Sequence, residues 1–460
     1  MALPIYDIVI IGGGLAGLTA ALEAAHTESS FHICLLEKEE HLGGNSAKAS
    51  SGINSIASDD DLESFFQDTV TSGRERSNEE LVRTLVNQSE SAIKFLTNKN
   101  IDLSVKSQLG GHSRARTLRN QSGPNIGFVI ISALQAAAQR LSNIHIITSA
   151  NVTNIEHRGT DAILYEIEGQ SYRIQGRAII FATGGFASNQ SLLVKYRSTI
   201  ANLSTTSSPC ATGDGIQLAT SAYRAQLVDM DQIQVHPTGF VDPADRGSKQ
   251  KLLAPEALRG SGGILVNEHG RRFVDELCTR DVVSSAVFDQ PNSHAFLILD
   301  KVAAETFGLG TLQFYMKRGL VAQCSNLAQI SEFISRNGDA SADILTDTIN
   351  EYCAAAANRE DQFGQATPPF DSGNSVFYVM EVVPVLHYCL GGLKFDCYAN
   401  VLDEDGKLVP GVFAAGEVTG GLHGTNRLAG NSLLECVVFG RIAARSAVAY
   451  VLSGPKSLAF

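Results

Sequence analysis

The sequence predicts an α/β protein with a smaller α+β domain inserted in it, and three observations carry that expectation. An apolar run from Ile8 enters a turn in which Gly12, Gly14 and Gly17 stand in G-x-G-x-x-G spacing. That spacing permits a tight turn, close approach of backbone to a pyrophosphate, and close packing of the following helix on its strand. The next apolar run, FHICLLE, closes on Glu37, where a carboxylate can accept from the ribose hydroxyls of an adenine dinucleotide. Apolar strands that end on glycines return near residue 379, after a long stretch of different character. The expected organisation is a discontinuous Rossmann-like dinucleotide domain, 1–235 and 379–460, of the two-part type, with 236–378 as an inserted capping domain.

Composition bounds the function. A chain of 460 residues with 44% hydrophobic and 18% charged residues reads as a globular α/β protein of several domains. Its net charge of −12 disfavours nucleic acid and anionic membranes as partners, since those surfaces reward excess Lys and Arg. An anionic substrate must therefore meet local cations. Apolar runs are expected to break before the ~20 residues of a membrane helix, and the N-terminus runs straight into the first strand, so the cytoplasm is the expected compartment. The eight Cys show no C-x-x-C spacing, which excludes haem attachment, and no metal site is expected.

Taken in order, HLGGNSAKASSGINS (41–55) is too rich in Gly, Ser and Asn for a helix and reads as a loop of backbone donors leaving a strand's C-terminal end, where ligands collect. Residues 60–100 follow a helical pattern. GGHSRARTLR (110–119) reads as a solvated basic loop carrying Arg114 and Arg116. Short strands are expected at 144–147 and 151–155, and 177–189 is an apolar strand breaking on glycines. TGDG then offers Asp214 as a further dinucleotide ligand. Because G-x-G-x-x-G occurs once, a second domain for a nicotinamide dinucleotide is not indicated. The character changes at Gln232, with QIQVHPTGF, then a charged loop and APEALRGSGGILVNEHGRRFVDELCTRDVV, then helical material to about Gln362. Strands resume over 381–396 and 411–421, the latter with Glu417, and a closing helix begins near Asn431 or Ser432.

GGNSAKASSGIN resembles the flavin-embracing loop of the fumarate reductase and succinate dehydrogenase flavoproteins. HPTGF, EALRG, RRFVDELCTRD, HYCLGG and HGTNRLAGNSLLE follow in that family's order, and the resemblance runs from Asp7 to Ala447. It is strongest to the short, soluble, yeast-type fumarate reductases, which carry no haem domain. The resemblance implies FAD in a two-part, glutathione-reductase-type fold. Its contacts would come from Gly12, Gly14, Ala16 and Gly17, from Glu37 and Lys38, and from Gly44, Asn45, Ser46, Ser51 and Gly52. Val152 would lie near the adenine; Ala182, Thr183, Gly184, Asp214, Glu417, Arg427, Ser432 and Leu433 complete the set. Membrane-bound members join FAD covalently to a His in the loop. Asn45 stands at that position and its amide is no nucleophile, so the FAD is expected to be non-covalent.

The resemblance further implies that His387 and Arg427 hold one carboxylate of the substrate and His236 the other, with Gly52 and Gly430 lining the cleft. Arg280 would be the proton donor, and Glu256 with Arg259 would relay protons to it. One departure is Pro255, where some relatives place a Thr that binds a carboxylate. The chemistry agrees: fumarate is a dianion, and an opposite charge at contact is worth roughly 4 kcal/mol at an effective dielectric near 20 against about 1 in water. Arginine also offers a planar fork that fits a carboxylate. Hydride from N5 of reduced FAD would reach one alkene carbon while the cations bear the charge developing on the other.

The alternatives are a reductase of another unsaturated acid such as urocanate, an L-aspartate oxidase, and a non-catalytic electron-transfer flavoprotein. Electrons are expected from a diffusible reduced flavin or a separate reductase in preference to NADH. The chain is expected to act as a monomer.

Overall fold

The computed structural model describes residues 3–121, 123–157, 161–335, 340–358 and 376–454. Strand β1 (Ile5–Ile11) leads through the glycine turn into helix α1 (Leu15–Thr27) and returns as β2 (Ile33–Leu36). Every residue of β2 is buried, as in a parallel strand covered on both faces. Side-chain alternation along β1 sends Ile8 and Ile10 to the core beneath α1 and Val9 and Ile11 to the core on the opposite face.

Parallel to β2 lies β3 (Ile144–Ile147); β4 (Asn151–His157), β5 (Asp161–Ile167) and β6 (Gln170–Phe181) then form an antiparallel run. The second half of β6 pairs parallel with β1, Ile8 opposite Ala178.

A second sheet begins with β7 (Ile233–Phe240) and includes β8 (Ile264–Val266), β9 (Ala295–Asp300), β10 (Ala322–Cys324) and the 13-residue β11 (Phe377–Cys389). Between these strands stand the short helices α2 (Glu256–Gly260) and α3 (Arg280–Phe288). Strand β11 pairs with β7, β9 and β10, and the expected boundary at 378/379 falls inside it. The helical stretch expected to reach Gln362 is described as far as Asn358; its last residues lie outside the described set. After β11 the chain rejoins the first sheet through β12 (Asn400–Leu402) and β13 (Leu408–Ala414), giving the order β12-β13-β6-β1-β2-β3. The last helix, α4 (Asn431–Ser453), packs along α1.

Two glycines make the first turn. Gly12 has φ +108°, and a Cβ there would stand 2.4 Å from the Ala182 carbonyl oxygen at the end of β6. A Cβ on Gly17 would meet the Gly12 carbonyl oxygen at 1.9 Å, so this glycine lets α1 lie against its own entry loop.

Two expectations need correction. Helix α4, 23 residues long, contains an 18-residue window of mean hydropathy 1.4, enough to cross a membrane by length and composition, and 56% of that window is buried inside the protein. Arg441 and Arg445, four residues apart on the helix, both bond Glu23 of α1. The basic loop also differs. Arg114 stays 42% exposed beside Asp60, whereas Arg116 is fully buried, held by Asp61 at 2.7 Å, by Asp68, and by His112 Nδ1 at 3.0 Å. The acids that bury Arg116 come from a segment some fifty residues earlier, so the loop's own composition carries no sign of them.

Candidate active site

A cavity of about 1080 Å³ runs from the first turn to the mouth of the second sheet. Gly12, Gly14 and Ala16 line one end, with Glu37 and Lys38 beside them. The 41–55 loop contributes Gly44, Asn45, Ser46, Ser51 and Gly52, and Val152 stands at the start of β4. Across from these are Ala182, Thr183, Gly184, Asp214 and Glu417. Arg280, His387, Arg427 and Gly430 line the other end, where Ser432 and Leu433 open α4. Four expected residues are not on the wall. Gly17 is buried inside the turn, and His236, Glu256 and Arg259 stand behind Arg280 and His387, each 2% exposed or less.

The walls are built for a dinucleotide. Gly14 is the N-cap of α1 and Gly430 that of α4, so neither cap supplies a side chain, and neither helix has an acid in its first turn. Their positive dipole ends are thus left for an anion. Glu37 accepts the Gly13 N–H at 2.7 Å with one oxygen and the Glu39 N–H at 2.9 Å with the other, which orients its carboxylate at the end of β2. Lys38 bridges to Asp214 at 2.6 Å and to Thr212 at 2.7 Å. Asn45 Oδ1 accepts the Ser208 N–H at 2.7 Å. A fit with FAD is supported by two further features. A Cβ on Gly44 or Gly184 would meet nothing within 4 Å, and the buried Thr183 Oγ1 has no protein partner. Burial pushes the Glu417 carboxyl up to about 7, although it accepts the Cys389 N–H at 2.9 Å.

At the other end the charges are positive. Arg280, the first residue of α3, donates from Nε to Glu256 at 2.6 Å and from Nη1 to Gln234 Oε1 at 3.0 Å. Burial works to raise the Glu256 carboxyl, but Arg280 and Arg259 outweigh it and hold it below its usual value. Arg259 Nη2 lies 3.7 Å from Glu256, giving a line of three groups leading inward from the cavity wall. Arg427, 2% exposed, stacks 4.3 Å over the Tyr388 ring, and its Nε has no partner. Burial first and Arg280 second press Arg427 well below its ordinary value. His387 Nδ1 meets Thr206 Oγ1 at 2.8 Å, and its ring lies 5.1 Å from that of His236.

His236 Nδ1 accepts the Thr238 N–H at 3.2 Å, so the neutral ring carries its proton on Nε2, which is buried and unpartnered. Burial, reinforced by Arg280, keeps both histidines well below their usual value. A buried donor without a partner is costly unless a ligand supplies the acceptor. The site therefore presents unpaired donors on His236 and Arg427, behind and beside a wall cation, Arg280.

Three neighbours were not anticipated from the sequence. Gln234 ties Arg280 to the loop at Asn426 and Arg427, Thr206 orients His387, and Tyr388 underlies Arg427. Gln234 was within reach, because two residues before His236 on a strand is the same face.

Two uncapped helix starts that converge on one cavity, with a carboxylate where a ribose would sit and cations further in, define a dinucleotide-binding oxidoreductase of the α/β class. The family profile described as an FAD binding domain matches residues 7–433, and the chain belongs to that family. FAD is its cofactor. The chain is 38% identical to Fumarate reductase 1 of Saccharomyces cerevisiae, over 95% of this chain and 98% of that protein. It is 37% identical to a fumarate reductase of Schizosaccharomyces pombe, covering 96% and 90%. Among solved structures, the open conformation of a flavocytochrome c3 fumarate reductase superposes with a TM-score of 0.76 at 29% identity, covering 98% of this chain and 79% of that one.

Proposed function

We propose that this enzyme reduces fumarate to succinate, taking electrons from a diffusible reduced flavin or a separate reductase, with non-covalent FAD and as a monomer. The observation that carries the reading is the pair of buried arginines on the wall at the inner end of the FAD cavity, Arg280 and Arg427, with unpaired donors on Arg427 and, behind the wall, on the neutral His236 ring, which together call for a doubly anionic ligand. The names of the yeast relatives support the same substrate. FAD, when bound, supplies the hydride.

The protein's own groups do the rest. Arg427 and His387 receive one carboxylate and His236 the other, with Gly52 and Gly430 leaving room for the chain between them. Residues 236–378 act as the cap that carries Arg280 and Glu256 to the FAD-binding part. Arg427 and Arg280 repel one another in a buried site, and a dianion relieves that repulsion on binding. Arg280 gives a proton to the carbon bearing the developing negative charge. That carbon is far more basic than any side chain, so a donor of high pKa still transfers downhill. Glu256, 2.6 Å away, passes a proton back to Arg280, and Arg259 extends the path.

The test is anaerobic. The enzyme is reduced with dithionite and mixed in turn with fumarate, urocanate and buffer, with reoxidation followed by absorbance and succinate by chromatography. Fumarate should reoxidise the enzyme at least a hundredfold faster than urocanate, with one succinate per FAD. Faster reoxidation by urocanate would overturn the assignment.

A further inference from the structure

Beneath Arg427 lies a pair of titratable groups that the mechanism above does not use. His423 Nε2 and Glu435 Oε2 are 2.6 Å apart, His423 on the loop before α4 and Glu435 in its first turns, 3% and 2% exposed. Their outer atoms, His423 Nδ1 and Glu435 Oε1, are buried without partners, so each group's one polar contact among the described residues is with the other. The His423 ring stands edge-on to Tyr388, centroids 6.0 Å apart at 74°, and Tyr388 in turn lies under the Arg427 guanidinium at 4.3 Å. Tyr388 Oη also lacks a partner, so packing rather than a hydrogen bond fixes that ring.

We propose that His423 and Glu435 are positioning residues: a buried strut, anchored in α4, that holds the Tyr388 ring and through it aims Arg427 at the substrate carboxylate. The proposal rests on the reading of Arg427 as a substrate cation. Geometry gives the strut a purpose a hydrocarbon could not serve as well. Arg427 is long and has an unpaired Nε, so it needs a fixed floor, and an aromatic face under a guanidinium is attractive without competing for its N–H donors. A carboxylate in direct contact would instead take those donors from the substrate. The pair's charge state fits the same purpose. Burial pushes Glu435 well above and His423 well below their ordinary values, so the couple shares a proton and carries no net charge beside Arg427.

The experiment is a double-mutant cycle on FAD-loaded protein, reading the Kd for succinate by calorimetry, the FAD content by absorbance, and kcat and KM for fumarate. His423→Ala and Tyr388→Leu should each weaken succinate binding at least tenfold with FAD content within twofold of wild type, and the double variant should be no weaker than the poorer single variant. Glu435→Ala should match His423→Ala. Glu435→Gln, which keeps a hydrogen-bonding group on His423, should recover to within threefold, and Tyr388→Phe should recover most of what Tyr388→Leu loses. KM should move more than kcat. Losses that multiply in the double variant, or unaltered succinate binding in His423→Ala, would overturn the strut. Should His423→Ala fail to hold FAD, the Glu435→Ala and Glu435→Gln pair decides alone: equal losses in both would refute the idea. Wild-type protein that binds no succinate would sink the substrate reading instead.

Discussion

Arg280→Ala separates proton delivery from binding, and the structure sets the scale. The Nε to Oε2 contact with Glu256 at 2.6 Å corresponds to roughly 6 kcal/mol at an effective dielectric of 20. Its loss does not strand the carboxylate, because Arg259 remains at 3.7 Å, roughly 4 kcal/mol on the same scale, and the Gly110 N–H still donates at 2.9 Å. Breaking a buried pair costs about 3–5 kcal/mol when one charge is abandoned, so the folding cost here lies below that range. The chemical cost is separate. A positioned proton donor contributes about 10²–10⁴ in rate, some 3–5 kcal/mol of barrier. Single-turnover reoxidation of the reduced variant by fumarate should therefore slow at least a hundredfold, while FAD content stays at the wild-type level and succinate binds within tenfold of it. Neither histidine is a cationic acid ready to substitute, since burial disfavours the charged form of both. Reoxidation within tenfold of wild type would hand the proton to one of them and refute the argument.

Acid precipitation should leave FAD in a yellow supernatant, since Asn45 has no nucleophile to bind it; flavin fluorescence in the pellet would contradict this. Gly17→Ala drives a Cβ to 1.9 Å from the Gly12 carbonyl oxygen and should cost about 1–3 kcal/mol of stability, with FAD content falling at least tenfold, both measurable on purified protein. Glu417 holds its proton more tightly folded than unfolded, so between its usual 4.5 and about 7 its contribution to stability is present at the acid end and lost as pH rises. The full swing is about 3 kcal/mol. Glu417→Gln should flatten FAD-free Tm against pH across that window, and an unchanged slope would show that the carboxyl is ordinary.

Local sequence carried the first turn well because most of its demands are local: Gly12 answers a positive φ, Gly17 a contact within the same β-turn-α unit, and Glu37 ends the next strand, although Gly12 also stands against Ala182 at the end of β6. The inner end was harder. Arg280, Glu256 and His236 were nameable only as a resemblance, since their contacts join segments 24 to 46 residues apart with no shared period. Arg116 was misread because its neutralising acids sit 48 and 55 residues earlier. His423 and Glu435 passed unnoticed for the opposite reason. They lie 12 residues apart, but one is in a loop and one in a helix, and spacing predicts no contact across such a junction.

The meeting of α1 and α4 over one cavity has a consequence for biosynthesis. The glycine turn leaves the ribosome well ahead of the second helix start, at Asn431, and of β13 beside β6, which arrive some 400 residues later, about 20–80 s at ~5–20 residues per second. Through that interval the nascent chain carries a dinucleotide turn with one wall of its cavity missing. The complete FAD cavity thus exists only once α4 has been made, and a ribosome that stops short of it releases a chain with the glycine turn but without the helix start that shares its cavity.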